Sequence, residues 1–130
     1  MITKNALHSI LIIEDETSLF RALSDAFLNQ GFAVLGAQDG KQGLKLAKTK
    51  HPDVILLDII MPKMDGITLL KLLREDKWGK RAQVIMLTNL HGNEREVENL
   101  GDEAFEYLIK SEQTIGDIIK KVKQRLAITE

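Results

Sequence analysis

Val54-Ile55-Leu56-Leu57-Asp58-Ile59-Ile60-Met61-Pro62-Lys63-Met64-Asp65-Gly66 joins four large aliphatics to a carboxylate and then to two turn signals. An unbroken aliphatic run of this length is the pattern of a strand buried on both faces. The acid that follows does not belong in an apolar core, which places Asp58 at the rim where the strand exits. Met61-Pro62 and Asp65-Gly66 then break the strand and turn the chain before a new apolar periodicity starts at Ile67. Asp58 therefore reads as a functional group held at the end of a buried strand.

The same pattern recurs on both sides. Ile10-Leu11-Ile12-Ile13, within 8–13, is a first buried strand and runs into Glu14-Asp15-Glu16. Thr17 or Ser18 is expected to cap a helix carrying Leu19, Phe20, Leu23, Ala26 and Phe27 at helical spacing, with Gly31 as its left-handed stop. A second strand is expected over 32–36. After the Asp39-Gly40 turn, a surface helix presents Leu44, Leu46 and Ala47 and ends before His51-Pro52. Beyond Asp58, a third helix carries Leu69, Leu70, Leu72 and Leu73. Val84-Ile85-Met86-Leu87 is a fourth aliphatic run, ending in Thr88-Asn89. A fourth helix over 93–100 has only Val97 and Leu100 as anchors, which makes it the least firmly packed. A fifth strand over 105–109 ends in Lys110. Thr114 is expected to cap a last helix with Ile115, Ile118, Ile119, Val122 and Leu126 on one stripe.

Five alternations of strand and helix with short connections give an α/β fold: a parallel sheet with helices on its faces. The 130 residues fit one domain, expected to span 1–130 with its core at about 8–128 and no output domain. There is no cysteine and the formal charge is −1, so neither a disulfide framework, thiol chemistry nor a broad nucleic-acid surface is indicated. No apolar stretch is long enough to cross a bilayer or serve as a secretory signal, and the reading is a soluble cytoplasmic protein without membrane or direct nucleic-acid contact. His8, His51 and His91 share no metal-ligand spacing and read as surface or loop residues. Trp78 reads as a partly covered loop anchor.

In a parallel sheet of this kind, all strands end on one edge, and ligands bind where the strand order reverses. That brings Glu14, Asp15, Asp58, Thr88 and Lys110 to one rim. Three carboxylates there would repel and raise at least one pKa, a conflict that a divalent cation removes. Oxygen-only ligands favour Mg2+ over zinc. Lys110 supplies a point charge and Thr88 a hydroxyl donor, both suited to phosphoryl oxygens. The constellation is suited to stabilising a phosphoryl group in transfer, with Asp58 as acceptor or electrostatic partner.

Leu11-Ile12-Ile13-Glu14-Asp15-Glu16, Asp58 to Gly66 with Met61-Pro62 and Asp65-Gly66, Met86-Leu87-Thr88, and Tyr107-Leu108-Ile109-Lys110 occur together in this order. On these motifs the chain resembles the receiver domains of bacterial response regulators over about residues 8–128. The resemblance implies a flavodoxin-like (βα)5 sandwich of strand order 2-1-3-4-5. It implies that Asp58 accepts a phosphoryl group from a phosphohistidine of a sensor histidine kinase or phosphotransfer protein. It further implies Mg2+ bound directly by Asp15 and Asp58, through water by Glu14, and by the backbone carbonyl of Ile60. Lys110 would contact the acyl phosphate, and Thr88 would move inward to it. Tyr107 would follow, altering the face built from the fourth helix, fifth strand and fifth helix that meets a downstream protein, the chain being a monomer or a phosphorylation-dependent dimer. Such a chain is no dedicated enzyme, although it assists its own phosphorylation and dephosphorylation. Ile60 and Leu90 are expected to flank the path of the hydrolytic water and slow phosphoryl loss.

Two departures from the family pattern bear on the site. Family members usually carry a proline in cis after the lysine, where this chain has Ser111. A cis bond before a non-proline residue costs roughly 3 kcal/mol, so a trans peptide or a visibly strained loop is expected. Glu14 is one methylene longer than the usual aspartate, which a water-mediated metal contact tolerates. Three alternative readings remain: a degenerate receiver acting only as a binding module, the receiver portion of a longer response regulator, and a magnesium-dependent phosphohydrolase. The last generally needs a second acid two residues after the nucleophile, where this chain has Ile60.

Overall fold

Each aliphatic run feeds two cores at once. In the computed structural model, which describes residues 8–89, 95 and 106–128, Leu11, Ile13, Ile55, Leu57, Val84 and Met86 enter one apolar cluster. Their chain neighbours Ile10, Ile12, Val54, Leu56, Ile85 and Leu87 enter a second cluster on the opposite face. Strand side chains alternate between faces, so a strand covered on both sides must be apolar at every position. This is why the runs are continuous.

The strands are β1 (Ser9–Ile13), β2 (Ala33–Ala37), β3 (Val54–Asp58), β4 (Val84–Thr88) and β5 (Glu106–Ile109). They form one parallel sheet of order β2-β1-β3-β4-β5, as the resemblance implied. The order reverses between β1 and β3, whose register pairs Ile13 with Leu57 and so places Glu14 beside Asp58 at the sheet edge. Helices α1 (Thr17–Asn29) and the C-terminal helix (Ile115–Arg125) cover one face through Leu23, Phe27, Ile118 and Val122. Helices α2 (Gly40–Lys50) and α3 (Gly66–Arg74) cover the other through Ala47, Leu69, Leu70 and Leu73.

Several helix ends follow the sequence. Thr114 and Asp117 form a reciprocal capping box on the C-terminal helix. Asp39 and Asp65 each accept a backbone N–H at 2.8 Å, from Gln42 and Thr68 respectively. Gly31 has φ 89°, the left-handed stop expected after α1. Trp78 is half-buried and stacks on exposed His51 with ring centroids 4.5 Å apart, the loop anchor expected of it.

Three expectations need correction, and one leucine of α3 lies off the core. Neither Thr17 nor Ser18 caps α1: its N-cap is Glu16, which makes no side-chain cap bond, and Thr17 is already helical. The second strand begins at Ala33 rather than Phe32, whose ring instead packs edge-on against Phe27 at 5.1 Å. Leu72 is 38% exposed and points away from the core served by Leu69, Leu70 and Leu73, because a helical stripe has room for only part of a four-leucine cluster. Asp58 is the last residue of β3 rather than a residue beyond it. The fourth helix expected over 93–100, with Val97 and Leu100, lies outside the described residues apart from Arg95, as do Leu90, His91 and Phe105.

Candidate functional site: a carboxylate cluster at the sheet edge

Glu14 leaves β1 with its backbone N–H bonded to the Ala37 carbonyl of β2, so its position is set by the sheet. It is 2% exposed. Its Oε2 accepts the Glu16 N–H at 3.1 Å, folding the acidic turn back on itself. Asp58, at 6% exposure, closes β3 opposite Leu87 of β4. Asp15 is exposed beside them. One carboxylate oxygen from each of Glu14, Asp15 and Asp58 lies within 4.8 Å of the others.

Lys110 reaches this cluster from the end of β5. Its ammonium lies 2.9 Å from Glu14 Oε1 and 3.2 Å from Asp58 Oδ2. The Glu14 contact is a charge contact rather than an aligned hydrogen bond, since Oε1 has no hydrogen-bond partner of good geometry. The Lys110–Ser111 peptide is trans, and residues Lys110–Glu112 form a single 3-10 turn. The missing proline therefore does not turn the lysine away. The contact with Glu14 was not visible in the sequence; the extra methylene at position 14 was its only sign.

Burial is the main cause that pushes the Asp58 carboxyl up to about 7; the Glu14 charge adds to it, and Lys110 offsets part. For Lys110, burial opposes the charged form, yet its contacts with Glu14 and Asp58 outweigh this and raise its pKa. One lysine thus partly neutralises two buried acids, with the exposed Asp15 beside them.

Thr88 is buried at the end of β4. Tyr107 pairs with Met86, two residues before Thr88, so Thr88 and Tyr107 lie on the same sheet face, that of α2 and α3. Tyr107 is half-buried there, and burial raises its phenol pKa. Ile60 lies in the loop after Asp58 and is 64% exposed. The loop is pulled tight by the Gly66 N–H bond to the Ile59 carbonyl at 2.7 Å. Gly66 sits so close to the Asp58 carbonyl that a Cβ would overlap it, a constraint beyond the turn expected at Asp65-Gly66.

Residues 10–123 match the response regulator receiver domain. The chain belongs to this family. It is 45% identical over 105 residues to the regulatory protein AtoC of Escherichia coli, covering 81% of this chain and 22% of that protein. A Francisella response regulator receiver domain superposes with a TM-score of 0.82 at 32% identity, over 95% of this chain and 99% of that one. The Thermotoga maritima response regulator TrrA, in complex with Mg2+ and BeF, superposes with a TM-score of 0.77 at 27% identity, over 90% of this chain and 97% of that one. The chain spans half the length or less of the curated relatives it matches.

Receiver domains are signalling modules of phosphorelays rather than dedicated enzymes, and the Glu14, Asp15 and Asp58 cluster corresponds to their acidic phosphoacceptor site. The residues present fit Mg2+, the ion with which the similar TrrA structure is complexed. The donors are all oxygen, they converge, and the Glu14 charge, which adds to burial in raising the Asp58 pKa, is one that a divalent cation would offset. Among the described residues, no helix is long and apolar enough to cross a membrane.

Proposed function

We propose that Asp58 is the phosphoacceptor of a two-component switch. A carboxylate oxygen of Asp58 attacks the phosphorus of a phosphohistidine on a sensor histidine kinase or phosphotransfer protein. The O–P bond forms as the N–P bond breaks, and the imidazole leaves with the bonding pair. Asp15, Asp58 and the Ile60 carbonyl would hold Mg2+, with Glu14 acting through water; the ion, when bound, neutralises charge on the phosphoryl oxygens. Lys110 supplies a fixed positive charge at the same oxygens, and Thr88 donates a hydrogen bond to them. The observation that carries this reading is the Lys110 ammonium within 3.2 Å of a buried Asp58 carboxylate inside the acidic cluster.

Thr88 and Tyr107 share a sheet face, which supports their role as a relay from the phosphoryl group to the face that includes β5 and the C-terminal helix. A downstream protein reads that face, and the chain acts as a single receiver unit in the cytoplasm, as a monomer or a phosphorylation-dependent dimer. Incubation with Mg2+ and a small phosphodonor, followed by intact-mass measurement, tests the central step. One added phosphoryl group, absent from Asp58→Asn, is expected. Absence of labelling despite measured Mg2+ binding would leave the chain a binding module.

A further inference from the structure

Helix α2 carries Lys41, Lys45, Lys48 and Lys50 and no acidic residue, in a chain whose formal net charge is −1. All four lysines are exposed, and among the described residues none lies within ion-pair distance of a carboxylate. Three of them, Lys41, Lys45 and Lys48, rim an open recess of about 370 Å³ whose apolar lining comes from Leu44 and Met64. Helical spacing explains the grouping, since residues three, four and seven apart share one face. Met64 belongs to the loop that follows Asp58, and the backbone of Gly40 packs directly against the Met64 carbonyl. The recess therefore borders the loop of the phosphoacceptor site.

We propose that this face of α2 docks an acidic protein segment that places one apolar side chain between the lysines, on Leu44 and Met64. Charge complementarity selects an acidic occupant, and the apolar floor selects one with a hydrophobic anchor. A nucleic acid would meet lysines on a single helix, without arginine in the lining and around an apolar hollow, where phosphate tracking needs a continuous basic groove. A membrane surface calls for protruding apolar side chains beneath the cationic rim, whereas Leu44 and Met64 are half-buried and recessed. A flexible acidic segment fits both features.

The test is selection of a random-peptide library against the intact chain, followed by mapping of the enriched peptides on the 15N-labelled protein. Enriched peptides are expected to combine several Asp or Glu with one large apolar residue and to shift the resonances of Lys41, Leu44, Lys45, Lys48 and Met64. Lys45→Glu/Lys48→Glu, exposed substitutions that leave the fold intact by circular dichroism, is expected to weaken binding about tenfold or more. Enrichment of no acidic-apolar peptide, or mapping to another face, overturns the proposal. Tighter lysine-dependent binding of a DNA duplex or of phosphatidylserine vesicles than of the peptides assigns the face to those partners and also overturns it. Phosphorylation of Asp58 is scored separately by intact mass, so failure here is distinguishable from failure of the phosphoacceptor reading.

Discussion

The Lys110 ammonium stands 3.2 Å from Asp58 Oδ2 although Ser111, in a trans peptide, replaces the proline that usually follows this lysine in receivers. Lys110 opens the 3-10 turn after β5, and its ammonium also meets Glu14 Oε1 at 2.9 Å. Lys110→Ala would leave two buried carboxylates facing each other without a cation. Its unfolding free energy in metal-free buffer at pH 7 is expected to fall by about 1–3 kcal/mol, less than for a fully buried pair because Lys110 is partly exposed. Mg2+ should recover much of that loss in denaturant titrations, whereas Asp58 labelling by a small phosphodonor should stay slow. Wild-type labelling rates in the variant would remove Lys110 from the mechanism.

The raised Asp58 pKa fixes the sign of a pH effect. The folded chain keeps the Asp58 proton up to about pH 7, whereas the unfolded chain releases it near 3.8. Between those values the native state binds more protons, so this group stabilises the fold at low pH and its contribution is lost as pH rises towards 7. Lys110, also raised, loses its contribution only in the alkaline range above its ordinary 10.5, outside this window. Mg2+ competes with the Asp58 proton, so stabilisation by the ion should grow over the same interval. Thermal melts at pH 5 and pH 8, with and without Mg2+, are expected to show both trends, and Asp58→Asn should flatten them. A metal-induced shift in Tm that is as large at pH 5 as at pH 8 would contradict this account.

Much of this arrangement was legible in the sequence because aliphatic runs and their terminal acids report burial directly. Ile10 to Ile13, Val54 to Leu57 and Val84 to Leu87 could only be strands covered on both faces, and the residues that follow them had to meet at one edge. Asp58 itself was read as lying outside the strand, since an acid is costly in a buried ladder; that cost is visible as its raised pKa. The Glu14–Lys110 contact depends on side-chain reach between residues 96 positions apart, which no local pattern encodes. Leu72 and Leu73 are alike in composition, and only the pose of α3 on the sheet separates them.

That separation is measurable. Leu70 is fully buried in the core beneath α3, and Leu70→Ala is expected to cost about 2–5 kcal/mol of unfolding free energy. Leu72→Ala, on the exposed side of the same helix, should change stability by about 0.5 kcal/mol or less. Equal losses in urea titrations would mean that α3 is rotated about its axis.

Gly66 and Gly116 form a second contrast. A Cβ at Gly66 would overlap the Asp58 carbonyl and come within 2.9 Å of Ile59 Cα, both backbone atoms of the segment that carries Asp58. Gly66→Ala is expected to cost about 1–3 kcal/mol and to weaken Mg2+ binding as well. At Gly116 the nearest atom would be Thr114 Oγ1 at 3.7 Å, an ordinary contact, so Gly116→Ala should stabilise the C-terminal helix by about 0.5–1 kcal/mol. Titration calorimetry with Mg2+, alongside thermal melts, separates the two effects. Unchanged Mg2+ affinity in Gly66→Ala would show that the loop can shift without disturbing the site.

Ile60 is expected to bear on how long the phosphorylated state lasts. It stands two residues beyond the proposed acceptor and is 64% exposed, so it can carry a polar group without core strain. An apolar side chain there neither orients nor activates a water, and hydrolysis of the acyl phosphate then relies on unassisted attack. Ile60→Glu places a carboxylate two residues from Asp58, within reach of a water approaching the phosphorus. General-base assistance is typically worth about a hundredfold to ten-thousandfold where geometry is good; for a flexible exposed side chain, an acceleration of about tenfold is expected. The measurement is decay of the phosphorylated mass after removal of the phosphodonor at fixed Mg2+, with Ile60→Gln as the uncharged control. Acceleration in the Glu variant alone would identify base assistance, equal acceleration in both would indicate simple water access, and no change in either would show that Ile60 does not govern the lifetime.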